Sequence, residues 1–287
     1  MIDVKTFKGH PLARIDLGDN LSLLFENSRS ELEGYPNNRI RKGLIISYGN
    51  NKLCEEGVGF GVPIIKTRSE TIFPGDSQIN LIQNSDIFIL SVNYNLNLVN
   101  RMKILGRRID SETFYRIKEW FSSVHREHAA LRGIGANFSN VLRRLCGIRN
   151  FLEVIPSSST AQVNYTVNVT RKTIQIDVDL SSIKIEGEAE ITIANEQGAN
   201  FFAQYQDSNG TILLQDSIGT WDEVSAGEAS LVDSVDRLIF SLRQVQGAKL
   251  YRGRELVTDR LAWSGINYVL SDHSHDFHYD IKVGGLK

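Results

Sequence analysis

The stretch SDHSHDFHYDIKV, residues 271–283, gathers three of the chain's six histidines and three aspartates into ten positions. Phe277, Tyr279, Ile281 and Val283 alternate with His278, Asp280 and Lys282, the period of a half-buried strand, so the odd positions face inward. His273 and His275 then fall on the inward side at the strand's entrance. Two histidines at i, i+2 can share a zinc, copper or iron ion, or one can transfer a proton. A polar loop entering a strand accounts for the same residues without chemistry, and it is preferred to a metal site because no third ligand is apparent.

A second group of residues suits a sugar. Glu196, Tyr205, Trp221, Asp222 and Glu223 lie in NEQGANFFAQYQ and GTWDEV, and Trp263 lies in LAWSG. An aromatic ring offers a plate to the apolar C–H face of a sugar, and carboxylates accept its hydroxyl hydrogens. Two Arg-x-Arg pairs, Arg39 with Arg41 and Arg252 with Arg254, put guanidinium groups on one side of extended chain, where they can clamp a carboxylate or pair across a sheet. The acid-base assignment gives proton transfer to His273 or His275, the complementary role to Glu196 or Glu223, and neutralisation of a uronate to an Arg pair.

Other motifs resolve toward packing. VHREHAA, residues 124–130, spaces His125 and His128 three apart, not the four of a zinc-protease helix, and His128 continues an apolar stripe. EEGVGFGVP, residues 55–63, carries Gly57, Gly59 and Gly61 but has no following helix and no Gly-Lys-Ser/Thr, so it is not a phosphate loop. Glycine at every second position strips a face of side chains, which fits a close backbone approach or a flat platform on which an aromatic side chain or a ligand can lie, packing being preferred.

The elements that must hold these residues are strands. ARIDL, NLSLLFE, GLIISYG, VGFGVPIIK, ETIF and QINLIQ are short, β-branched or aromatic, and punctuated by turn residues. In SDIFILSVNYNLNLV, Val92, Tyr94, Leu96 and Leu98 oppose Asn93, Asn95 and Asn97. TIQIDVDL repeats the pattern with Ile174, Ile176, Val178 and Leu180. SNG, residues 208–210, predicts a tight hairpin turn, and PSSST, residues 156–160, a loop. Between the two strand-rich halves, Phe114, Ile117, Phe121, Val124 and Leu131 step by three and four, predicting a helical insert over about 110–148.

About fifteen to eighteen short strands without βαβ alternation predict a mainly β chain, built as a large antiparallel two-sheet β-sandwich around that insert. One domain over 1–287 is expected, the alternative being two β domains, 1–109 and 157–287, flanking the helices. In architecture this resembles the large β-sandwich domains of carbohydrate-active proteins such as the galactose-mutarotase-like supersandwich, a resemblance that implies a carbohydrate ligand.

Composition narrows the partners. With 41% hydrophobic and 23% charged residues in 287, the chain has material for one large core. A net charge of −2 gives no basic face for nucleic acid. Cys54 and Cys146 sit in apolar company as buried thiols, with no disulfide framework, zinc ribbon or cofactor motif. No apolar run is long enough for a membrane span or a signal peptide, so a cytoplasmic protein is expected and the Asn-x-Ser/Thr sites are chance. The sequence therefore predicts a protein that binds or modifies carbohydrate, with acid-base chemistry on a sugar or uronate if it is an enzyme. The competing expectation is a non-catalytic structural or interaction protein whose sheet edges pair, for instance as a homodimer.

Overall fold

A computed structural model describes residues 3–7, 10–27, 41–49, 51–54, 57–67, 70–104, 107–108, 113, 116, 148–183, 187–214, 221–233, 235, 237–258, 261–271 and 275–285. The helical insert expected at 110–148 lies outside these residues apart from Thr113 and Arg116, both exposed, and Ile148. Among the described residues no helix is long and apolar enough to cross a membrane.

Among the described residues, twenty strands follow one another. The first half supplies β1 (Asp3–Phe7), β2 (His10–Gly18), β3 (Leu21–Glu26), β4 (Leu44–Tyr48), β5 (Asn51–Lys52), β6 (Gly59–Thr67), β7 (Thr71–Asn84), β8 (Ile87–Ile104) and β9 (Arg107–Arg108). Next come β10 (Ile148–Asn168), β11 (Thr173–Asp179), β12 (Ala189–Gly198), β13 (Gln204–Asp207), β14 (Gly210–Leu213) and β15 (Trp221–Glu223). The chain closes with β16 (Glu228–Asp233), β17 (Leu238–Arg243), β18 (Ala248–Thr258), β19 (Leu261–Leu270) and β20 (Asp276–Gly285). The mainly β expectation holds, and every pairing is antiparallel.

Hydrogen-bonded neighbours give one series running β14, β13, β16, β17, β20, β11, β10, β8, β7. A second runs β6, β12, β19, β18, β15. β7 meets β6 only at Ile72–Ile65 and Thr71–Lys66, and β1 to β4 attach to β6 through Leu44 and Phe60. Strands of the two series that share no hydrogen bonds touch through their buried rings. Phe60 stacks edge-on against Phe240 at 5.1 Å, and Tyr268 against Phe277 and Tyr279 at 5.1 and 4.8 Å. Such pairs contribute about 0.5–1.5 kcal/mol each beyond the burial of their surface.

The period-two readings hold. Val92, Tyr94 and Leu96 are buried while Asn93 and Asn95 are exposed, and Ile174, Ile176, Val178 and Leu180 are all buried. Phe277, Tyr279, Ile281 and Val283 point inward as expected. Ser208 and Asn209 turn the β13–β14 hairpin.

Two expectations need correction. PSSST is not a loop: β10 runs straight through it and takes four steps, Pro156 to Thr160, against two on β8, Asn97 to Asn95. Ser157 Oγ donates to the Leu96 carbonyl and accepts from the Ser159 amide, so hydroxyls replace the lost ladder bonds. Likewise ETIF and QINLIQ are one strand, β7, with a bulge between Pro74 and Ser77 opposite Leu96 and Tyr94. Both bulges flank the same level of β8, so three neighbouring strands bend together. Buried Lys42 fixes that bend, donating through Nζ to the Gly75 carbonyl at 3.0 Å and to Asn27 Oδ1 at 2.6 Å.

Candidate functional site

Register alone assembles a site on one face of the second series. Gly59 pairs with Glu196, Glu196 with Gly265, Gly265 with Gly253, and Gly253 with Trp221. Directly opposed residues in an antiparallel sheet project to the same side, so this row holds one carboxylate, one indole and three positions without side chains. Gly198, Trp263 and Glu255 form the row on one side of it, and Asn267, Tyr251 and Glu223 form the row on the other side. Glu196, Glu255, Asn267 and Trp263 are 8%, 5%, 6% and 3% exposed. These are low values for two carboxylates, which need polar partners when removed from water.

Each carboxylate has a nitrogen donor. Asn267 Oδ1 accepts the backbone N–H of Asn195 at 2.8 Å, which turns its Nδ2 toward Glu196 Oε1 at 3.5 Å. Trp221 Nε1 donates to Glu255 Oε1 at 3.3 Å. The glycine between them has a packing reason: a Cβ on Gly265 would stand 2.6 Å from the Asn195 carbonyl and 3.0 Å from Glu196 Cγ. The bare position lets the Glu196 side chain lie across the sheet. Two strand spacings and two residues separate Glu196 from Glu255, roughly 12 Å between Cα atoms. The Glu196 carboxylate turns toward Asn267 and the Glu255 carboxylate toward Trp221.

At the rim, exposed Glu223 pairs with Lys249 Nζ at 3.1 Å and lies 3.5 Å from the Tyr251 hydroxyl. That contact raises the Lys249 pKa through the hydrogen bond to Glu223.

The other predicted residues sit elsewhere. Arg252 and Arg254 share a side of β18, as expected of an i, i+2 pair, but it is the side opposite Gly253 and Glu255. The Arg252 guanidinium lies 4.1 Å above the Tyr205 ring, and Asp222 is its cross-strand neighbour. Tyr205 is buried and donates to Asp207 Oδ2 at 2.7 Å. Burial pushes the phenol pKa up, and the hydrogen bond holds the Asp207 carboxyl below its ordinary value. Arg41 leads into β4 with its Nε 3.8 Å from Glu26. Arg39 and His273 lie outside the described residues. His275 is exposed at the mouth of β20, where its backbone carbonyl accepts from the Leu180 amide and its Nδ1 lies 3.3 Å from the Leu180 carbonyl.

Of the predicted set, then, Glu196, Trp221, Trp263 and Glu223 share one face, while Asp222, Arg252 and Arg254 lie on the opposite side of the same strands, where Arg252 stacks on Tyr205 of β13. Sequence reasoning missed Glu255, Asn267 and Tyr251. The signal was present: in YRGRELV the alternation that puts the arginines on one face puts Tyr251, Gly253 and Glu255 on the other, and in WSGIN Trp263, Gly265 and Asn267 repeat it.

A cavity of about 410 Å³ opens at the sheet end, between the Asn84–Ile87 turn and Thr170 and Arg171, away from both groups. Among the described residues, no group of three or more His, Cys, Asp or Glu is placed to hold a metal ion.

No family model matches the chain, and no curated protein matches it. Among solved structures, the crystal structure of HI1317 aligns over 99% of this chain and 95% of its own, at 7% identity and a TM-score of 0.43. A likeness that remote says nothing of activity.

Proposed function

We propose that the chain is a two-sheet β-sandwich of the supersandwich kind that binds a carbohydrate across the face carrying Glu196, Trp221, Trp263 and Glu255. The observation that carries the reading is the row Gly59–Glu196–Gly265–Gly253–Trp221: a floor free of side chains between a carboxylate and an indole, with a second carboxylate and a second indole in the next row. A sugar ring needs a flat approach, an aromatic plate and fixed acceptors for its hydroxyls, and this face supplies those residue types. Acid-base chemistry on the bound ring is the activity that paired carboxylates suit, and Glu196 is the member assigned to it from the sequence.

The test is a thermal-shift screen against neutral sugars, uronates and sugar phosphates. A ligand at about a hundred times its dissociation constant adds roughly 2.7 kcal/mol, a shift of a few degrees for a chain this size. The expected result is a shift with at least one sugar that Glu196→Gln abolishes. No shift with any sugar, or an undiminished one in Glu196→Gln, would overturn the reading.

A second reading is favoured by one observation. Among the described residues the short strand β14 pairs with β13 alone, and its Ile212 and Leu213 are 44% and 71% exposed. An apolar open edge is a template for a second copy. A screen without hits together with a dimer in light scattering would make assembly the better account.

A further inference from the structure

The series that begins at β14 ends at β7, and from Gln78 onward β7 has β8 as its one hydrogen-bonded neighbour among the described residues. We infer that this edge, Gln78 to Asn84, is where two copies of the chain pair, antiparallel across a two-fold axis, into one continuous sheet. The inference rests on the assembly reading above and is separate from the sugar face, whose strands β12, β19, β18 and β15 belong to the other series.

Three observations carry it. The first is where the edge opens. β6 leaves β7 after Ile72, and the next part of the edge is filled by side chains: Lys42 Nζ and Asn27 Nδ2 donate to the Gly75 carbonyl, and Asn27 Nδ2 reaches Ser77 Oγ at 2.7 Å. From Gln78 no described residue takes over that role, so every second residue turns its N–H and C=O outward along the edge. The second is composition. QINLIQN carries no charge, no proline and no glycine, the make-up of a strand that pairs with its own kind. The other strands with a single described partner are charged or short: β1 has Asp3 and Lys5, β5 has Lys52, β9 has Arg107 and Arg108, β15 has Asp222 and Glu223, and β14 is four residues long. The third is exposure. Ile79 and Leu81 pack against the core yet stay half-buried, and Ile82 on the outer side is 52% exposed.

A second copy fits this edge better than a charged partner does, because the strand offers backbone groups and neutral side chains alone. A two-fold axis perpendicular to the sheet keeps inward residues opposite inward ones, so the axis passes at Asn80 or at Leu81. Centred on Asn80, Ile79 of each copy stands opposite Leu81 of the other and Ile82 opposite Gln78. Centred on Leu81, the two Leu81 side chains meet and Ile82 stands opposite Asn80. Either register gives the half-buried side chains apolar neighbours, covers Ile82 and brings no like charges together. Such a contact is isologous and closes at two copies, whereas β7 against β14 of a further copy is heterologous and runs on.

The experiment measures the mass of the full chain by light scattering and its hydrogen exchange over a dilution series. The wild type is expected at twice the 32.3 kDa of one chain. Asn80→Lys with Ile82→Lys, both at exposed positions, should return it to 32.3 kDa, and Ile212→Lys on β14 should keep the doubled mass. Exchange needs no variant: in the wild type, peptide 78–84 should exchange about tenfold or more slowly in concentrated than in dilute solution. A wild type that keeps the mass of one copy would overturn both this inference and the assembly reading. A doubled mass that survives the two lysines, or that Ile212→Lys abolishes, would overturn the β7 contact and leave assembly through another edge. Growth beyond two copies, or exchange at 78–84 indifferent to concentration, would equally contradict a pair closed across β7.

Discussion

At the scale of single residues, the core is held by tyrosines that are apolar bodies with one polar errand each. Tyr165 donates to the Phe60 carbonyl at 2.8 Å, Tyr279 to Asn195 Oδ1 at 2.6 Å, and Tyr94 to the Lys42 carbonyl. All three are buried, and burial pushes each phenol pKa above its ordinary 10.0. The unfolded chain gives up these protons near pH 10 while the folded chain keeps them, so unfolding releases protons and rising pH favours it. Stability should stay flat with respect to these groups below pH 10 and fall above it by up to about 1.4 kcal/mol per pH unit for each tyrosine. Urea unfolding at steps from pH 8 to 11 checks this, and an unchanged midpoint through pH 11 would contradict it. The inward position of Tyr94 and Tyr279 was legible from period two. Their acceptors were not, because they lie 52 and 84 residues away and nothing local marks them.

At the scale of elements, local pattern gave most strands but not where they bend. Proline and serine clusters at 74–77 and 156–160 look like loops because loops share their chemistry; here the same residues make bulges, and only the pairing with β8 tells the two apart. The alternating glycines of EEGVGFGVP did announce a close approach. Gly59 has φ +92, and a Cβ there would stand 2.7 Å from the Gly43 carbonyl carbon and 2.9 Å from the Leu44 oxygen. Gly247 shares a positive φ of +84 but faces open space. Gly247→Ala should therefore cost only the conformational strain, roughly 1–2 kcal/mol, whereas Gly59→Ala adds a backbone collision and should cost more than about 3 kcal/mol. Equal losses in denaturant midpoints would show that close approach is not what requires glycine at 59. The same element logic explains the half-read site. Glu196 and the tryptophans were chosen for their type, but Glu255 joins them only because β18, β19 and β12 lie side by side, which no spacing within one strand reveals.

At the scale of the whole molecule, the chain's two halves are interleaved. β8 pairs with β10 along most of its length, β6 with β12, and the shared core draws buried residues from β2 and β3 as well as from β16 to β20. Each half alone would expose the face and edge that the other covers, so fragments 1–109 and 157–287 are expected to lack a cooperative melting transition when made separately. A cooperative transition in either fragment would favour two domains. The alternation along each strand was enough to predict a large β core, whereas the crossing order that places β12 between β6 and β19 depends on pairings about 70 to 130 residues apart and left no local trace. The most direct test of the central claim is a crystal structure of the full chain grown with the sugar that gives the largest melting shift. The account predicts the ring over Gly253 and Gly265, within hydrogen-bonding distance of Glu196 and Glu255 and against the Trp221 indole. A sugar bound elsewhere, with this face untouched, would contradict it.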